Sequence, residues 1–285
     1  MTILGTVLRG IGVLYWLFAL LMVGAALYYP KGRKEKALTF ALMVLLFGVW
    51  PGGEWIKQVR HEAYAREAWA HFRKLCAEKS GEKIYKTFTG VKSVLVVKPL
   101  PPATEKDLYD QFWYGDPYSN ATAWDKRAES AALRLTGVVK FLPPHEDKAA
   151  GFDFIEINYS SEHLAKYELV FSLKDPPFVE RQVIERPISR FGVAWDDIST
   201  PEDRAYWVAG SRLRVIDLAD NSVIAERIGY LIERGFGSRS GGRRPWLAAR
   251  RGGQTTCPSL RNGDFEDRWF LLTVFQVAEG GNDGK

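Results

Sequence analysis

Cysteine is nearly absent from this chain of 285 residues; only Cys76 and Cys257 occur. That excludes a zinc site built from four cysteines and a small scaffold stapled by several disulfides. Histidine is scarce too, with His61, His71, His145 and His163 as the whole set. His61 and His71 fall on one helical stretch, but ten residues separate them by roughly 15 Å along its axis. They cannot share one ion, and no HExxH, HxH or Cys/His spacing occurs, so both read as solvated surface histidines and no metal is expected. Walker loops and serines set in GxSxG are missing as well. The segment Gly235-Phe236-Gly237-Ser238-Arg239-Ser240-Gly241 resembles a dinucleotide loop but lacks its last glycine. No helix is expected behind it to offer an N-terminus to phosphate, and no cofactor is expected.

Charge is missing from two stretches near the N-terminus. Residues 11 to 29, IGVLYWLFALLMVGAALYY, carry none and as a helix span roughly 28 Å, close to the hydrocarbon thickness of a bilayer. Residues 37 to 50, ALTFALMVLLFGVW, are uncharged again and end at Pro51-Gly52-Gly53. Trp16, Tyr28, Tyr29, Trp50 and Trp55 suit membrane interfaces. The connection Pro30-Lys31-Gly32-Arg33-Lys34-Glu35-Lys36 is short enough to force an antiparallel hairpin. A cleaved signal peptide fits less well, because the apolar run is long, only Arg9 precedes it and Tyr28-Tyr29-Pro30 is a poor cleavage site. A buried helix of a soluble core needs a polar face that neither run has. Lys31, Arg33, Lys34 and Lys36 in the turn favour a cytoplasmic loop and a periplasmic domain; Arg9, Lys57, Arg60 and Arg66 on the other side weigh against it.

The remainder has ordinary globular composition, since hydrophobic residues make up 46% and charged residues 26% of the chain. A net charge of +5 is too modest to imply nucleic acid. Residues 54 to 79 read as an amphipathic helix through Trp55, Val59, Glu62/Ala63, Trp69, Phe72 and Cys76, ended by Ser80-Gly81. Strand patterns follow over residues 83–88, 91–98, 133–142, 152–159, 167–173 and 190–198, broken by proline pairs. Residues 103 to 130 are acidic, aromatic and aperiodic, a long loop or partly helical insert. Thr200-Pro201-Glu202-Asp203 starts a short helix. Residues 213–218 and 223–232 make a β-hairpin around Asp220-Asn221. Residues 265–277 form a last element, helix or strand.

The expected architecture is therefore α+β: a transmembrane hairpin over 1–53, a juxtamembrane amphipathic helix over 54–79, a mainly antiparallel β domain with peripheral helices over 80–278 and a disordered tail over 279–285.

Four features carry candidate chemistry. Residues 234 to 263 hold seven arginines and no acid. Arg239, Arg243, Arg244, Arg250 and Arg251, with Trp246, fit an anion-binding surface for headgroups, envelope polymer or an acidic protein, or else a mobile solvated loop. Trp113 and Tyr114 in the aromatic insert fit either a protein-binding anchor or rings packed beneath a loop. Asp196-Asp197 and Glu202-Asp203 offer paired carboxylates for an envelope enzyme, although capping and strand-end chemistry explain them as well. Cys76 and Cys257 can close one disulfide in an oxidising compartment or remain two buried thiols.

Several segments resemble an uncharacterised family of proteobacterial membrane proteins. They are Ser80-Gly81-Glu82-Lys83-Ile84-Tyr85, Asp197-Ile198-Ser199-Thr200-Pro201-Glu202-Asp203-Arg204, Trp207-Val208-Ala209-Gly210-Ser211, residues 224 to 230, and Pro245-Trp246-Leu247 with Cys257-Pro258. The resemblance implies an inner-membrane location and no particular reaction. The expectation is a non-enzymatic, membrane-anchored periplasmic binding protein whose partners are the lipid bilayer and a protein. That protein would be a toxin, which makes this an immunity protein, or an envelope component; the alternatives are an envelope enzyme and a structural subunit of an envelope assembly.

Overall fold

The computed structural model describes residues 3–98, 103–120, 152–160, 163–170, 178–250, 254–258 and 266–275. The strand expected over 133–142, Arg251 and the tail over 279–285 lie outside the described residues. The chain divides into two compact units, residues 1–64 and residues 65–285.

The first unit is helical. Helix α1 covers Ile3–Tyr28 and α2 covers Arg33–Lys79, its residues up to Tyr64 belonging to this unit. The Tyr15 hydroxyl donates to the Phe47 carbonyl at 2.9 Å and the Thr39 hydroxyl to the Ala26 carbonyl at 3.1 Å, so the two helices run antiparallel. Ala19 and Ala26, seven residues apart, are buried, while the large side chains around them point outward. Among the described residues no single helix is long and apolar enough to cross a membrane. Gly12–Tyr28 is a shorter apolar helix; Arg33–Phe47 and Gly52–Lys79 reach that length and composition only as a pair bent by 49°. Pro51, with no amide hydrogen for the helix ladder, sits at the bend. The divisions expected at 53 and 79 thus fall within and at the end of one helix.

The second unit is α+β, built on a mixed sheet. Its strands are β1 (Gly81–Ile84), β2 (Ser93–Lys98), β3 (Phe154–Ser160), β4 (His163–Val170), β5 (Phe178–Ile184), β6 (Phe191–Asp197), β7 (Val208–Asp217), β8 (Ser222–Ile232) and β9 (Thr256–Cys257). Their order is β1-β8-β7-β6-β2-β3-β4-β5, with β9 also paired to β8. Most neighbours are antiparallel, as expected, but β2 lies parallel to both β3 and β6. Its run Ser-Val-Leu-Val-Val-Lys has no polar alternation because Val94, Leu95 and Val96 are all buried, covered on both faces. The first strand spans Gly81–Ile84 rather than 83–88, and β5 adds an edge strand the pattern did not reveal. Helices α3 (Pro117–Asn120), α4 (Pro201–Ala205), α5 (Pro245–Arg250) and α6 (Glu266–Phe275) complete the unit; the element expected at 265–277 is a helix.

Strand alternation sends the apolar residues to two faces. On one, Val193, Trp195, Leu213, Val215, Ile155 and Ile157 meet Phe270, Leu271, Val274 and Phe275 of α6. On the other, Val208, Tyr230 and Ile232 meet Ala68, Phe72 and Leu75, one stripe of α2. Each such large side chain contributes about 1.5–3 kcal/mol on burial.

Beside that second contact, Cys76 and Cys257 are joined in a disulfide with Cα atoms 5.7 Å apart and a sequence separation of 181. Closing so long a loop removes freedom from the unfolded chain worth up to about 5 kcal/mol. Reduction, or Cys76→Ser, is expected to lower the urea midpoint of the purified full chain in detergent by a margin of that order. Equal midpoints with and without reductant would count against the tie.

Candidate functional site: an arginine and aromatic surface

The two segments singled out for binding come together on one end of the sheet. Residues 103–120 lie over β7 and β8, on the same face as α6, and α5 packs beside them. Tyr118 sits directly on Gly229, where an added Cβ would fall 2.5 Å from its ring. Ser119 and Asp116 anchor on Ser211, whose hydroxyl donates to the Asp116 carboxylate and lies 3.2 Å from the Ser119 hydroxyl. Arg227, only 2% exposed, donates to the Tyr118 hydroxyl at 3.0 Å and pairs with Glu82 at 3.1 Å.

The arginines hold this insert in place. Arg204 reaches from α4 and donates to the Asp197 carboxylate and to the Gly115 carbonyl, each at 2.7 Å. Its guanidinium also stacks on Trp246 at 5.2 Å. Arg244 donates to Glu105 at 2.6 Å, and that hydrogen bond holds its pKa above the ordinary arginine value. Arg250 donates to the Ser119 carbonyl at 3.0 Å, and Arg239 lies over the Tyr109 ring at 5.0 Å. Gln111 donates to the carbonyls of Arg204 and Ala205. Much of the positive charge in this segment is therefore engaged within the fold.

Trp246 is fully buried, with its indole N–H donating to the Asp110 carbonyl at 2.7 Å and its ring against Trp207. It cannot serve as the interfacial ring the sequence suggested; it is the pin under the insert. Arg243 pairs with Glu233, a carboxylate with no exposure at all. The same carboxylate accepts from the amides of Gly235 and Gly237 at 2.9 and 2.7 Å. The glycine-rich stretch thus wraps its own buried acid, which removes the likeness to a phosphate loop. Gly237 adopts φ +80° and its Cα approaches Trp207 too closely for a side chain. A helix, α5, does follow this stretch, contrary to expectation.

Among the described residues of the insert, Phe112 and Tyr114 are the aromatic side chains left outside. Tyr114 is 90% exposed and Phe112 is 59% exposed, while Trp113 is half-buried. Arg234 and Arg239 are exposed beyond the same end of β8.

The paired acids do not come together. Asp196 and Asp197 are neighbours on β6, so alternation sends them to opposite faces. Asp196 pairs with Arg212 and Arg214, and Asp197 with Arg204 and Ser199. Asp203 closes a capping box with Thr200 at the start of α4. Its other oxygen meets His71 at 2.6 Å, and the His71 ring lies 5.2 Å from Tyr206. His71 is therefore mostly buried and paired rather than a solvated histidine; nothing in its spacing signalled a partner 132 residues away. Burial, and secondly the Asp203 carboxylate, push the Tyr230 phenol above its usual value. Among the described residues no group of His, Cys, Asp and Glu is placed to hold a metal ion.

The chain matches no family model, no curated protein and no solved structure.

Gly229→Ala is expected to destabilise the domain by about 1–3 kcal/mol through overpacking against Tyr118. In a Tyr118→Ala background the same change should cost much less. A double-mutant cycle in urea checks the coupling, and additive penalties would contradict this packing.

Proposed function

We propose that this is a membrane-anchored binding protein without enzymatic activity, which presents the tip of the 103–120 insert to a protein partner. One observation carries the reading: Phe112 and Tyr114 stand exposed on a segment whose base is fixed by buried arginines and by Trp246. Aromatic side chains bind well when little freedom is lost on docking, and a pinned loop has already lost it. The exposed Arg234 and Arg239 would add polar recognition at the rim.

The anchor is part of the same proposal. Leu14, Leu17, Leu20 and Leu21 on α1, and Leu38, Leu42, Leu45 and Leu46 on α2, each expose more than half of their surface. So many large apolar side chains turned outward on two uncharged helical stretches, 11–28 and 37–50, fit lipid far better than water. We read the pair as a transmembrane hairpin with a cytoplasmic turn over 31–36, which puts the second unit in the periplasm of a bacterial inner membrane. Anchoring concentrates the binding surface where an incoming partner must pass. A toxin delivered to the periplasm is such a partner, and neutralising it would be an immunity function. The enzyme alternative draws no support from Asp196 and Asp197, which face apart.

A photo-crosslinker at Tyr114, in the full chain in its native membrane, is expected to yield a discrete adduct. Phe112→Ser should weaken that adduct at least tenfold without lowering the melting temperature. No adduct at 114, or an undiminished one in the variant, would count against the tip. Separately, a periplasm-active reporter fused after Lys285 is expected to be active; activity of a cytoplasmic reporter alone would reverse the orientation.

A further inference from the structure

Helix α2 changes character at its bend. Before it, apolar side chains project all round the axis: Leu38, Phe40, Leu42, Val44, Leu45, Leu46 and Val49 are all exposed. After it, only one stripe is apolar. Trp55 is 69% exposed, Ile56 48% and Val59 44%. The other faces carry Glu54, Lys57, Gln58, Arg60 and His61, with Lys57 paired to Glu54 and Gln58 bonded to Glu62 at the edge of the stripe. The stripe is continuous across the bend. Leu38, Leu42, Leu45, Val49, Gly52, Ile56 and Val59 alternate steps of four and three residues, which keeps them on one side of a helix.

Length decides what the second half of this stripe is for. The uncharged run 37–50 is roughly 21 Å long as a helix, against a hydrocarbon core of about 30 Å. A span that short leaves its flanks at the headgroups rather than in water. A helix that is apolar all round belongs inside hydrocarbon; one apolar on a single stripe, with a tryptophan on it, belongs in the interface plane. The change from the first kind to the second coincides with a 49° bend, the geometry of a helix turning from the membrane normal toward the membrane surface.

We propose that Trp55, Ile56 and Val59 form a lipid-contact face that lies in the headgroup layer of the bilayer. This rests on the membrane-anchor reading above. The occupant is lipid rather than a second copy of the chain, because the stripe continues the lipid-facing side of the same helix and fades where the polar faces begin.

The test uses nitroxide labels on the full chain, disulfide intact, in bilayers of phosphatidylethanolamine and phosphatidylglycerol. Labels replace one residue at a time: Leu20→Cys and Leu45→Cys for the anchor, Ile56→Cys and Val59→Cys for the stripe, Gln58→Cys and His61→Cys for the polar side. Accessibility to oxygen, which partitions into lipid, is compared with that to a water-soluble nickel chelate. The expected ratio is severalfold higher at 56 and 59 than at 58 and 61. Water-like values at 56 and 59, with lipid-like values at 20 and 45, would overturn this inference and leave the anchor standing. Low accessibility to both reagents at 56 and 59 would mean a protein contact and would overturn it too. Water-like values at 20 and 45 would overturn the anchor itself.

Discussion

The β7–β8 end of the sheet depends on how Arg204 is held. Its guanidinium is almost wholly buried, and the Asp197 carboxylate it meets is mostly buried. Taking both charges out of water costs several kcal/mol each, and their attraction offsets this only when the remaining donors also find partners. The Gly115 carbonyl and the face of Trp246 supply part of that compensation. One side chain therefore ties β6, the 103–120 insert and α5 together. Loss of any one partner would leave a charge buried with weaker compensation, so the three segments hold their places jointly.

The same requirement explains the fate of the arginine-rich segment. A run of arginine and glycine without acids reads, in isolation, as a surface waiting for an anion. In the folded chain acids from outside the segment pair with it: Glu105 with Arg244 and Glu233 with Arg243. Local composition cannot reveal the first, because Glu105 is contributed by the insert, 139 residues earlier. Glu233 is the exception. It stands one residue before the run, and its burial beneath two glycine amides makes a carboxylate the centre of a loop that otherwise looks purely basic.

What was legible in the sequence was what local chemistry determines. Thr200-Pro201-Glu202-Asp203 has both halves of a capping box within four residues, and the turn at Asp220-Asn221 joins β7 and β8 as the expected antiparallel hairpin. The parallel placement of β2 was not legible, because strand order depends on crossovers and not on the strand's own residues. Nor was the His71–Asp203 contact, which needs the register between α2 and α4. Tyr114 and Trp246 show the same limit from opposite directions. Both were singled out as candidate binding rings, and the fold sends Tyr114 to solvent and Trp246 to the interior.

Helix α2 shows how one element can meet different solvents along its length. Up to Val49 its large apolar residues lie on every side, so no single protein surface could cover them. Over 55–59 they narrow to a stripe beside charged neighbours. From Ala68 to Leu75 the stripe is again one-sided, but there it is buried against Val208, Tyr230 and Ile232. Hydrophobic burial is roughly proportional to area and indifferent to what does the covering. A single chain of helical hydrogen bonds can therefore pass from one apolar environment to another, provided the width of its apolar surface matches each. By that criterion the proposed anchor calls for hydrocarbon around the first stretch beyond its contact with α1, the proposed lipid face calls for a boundary at the second, and the third has a sheet face.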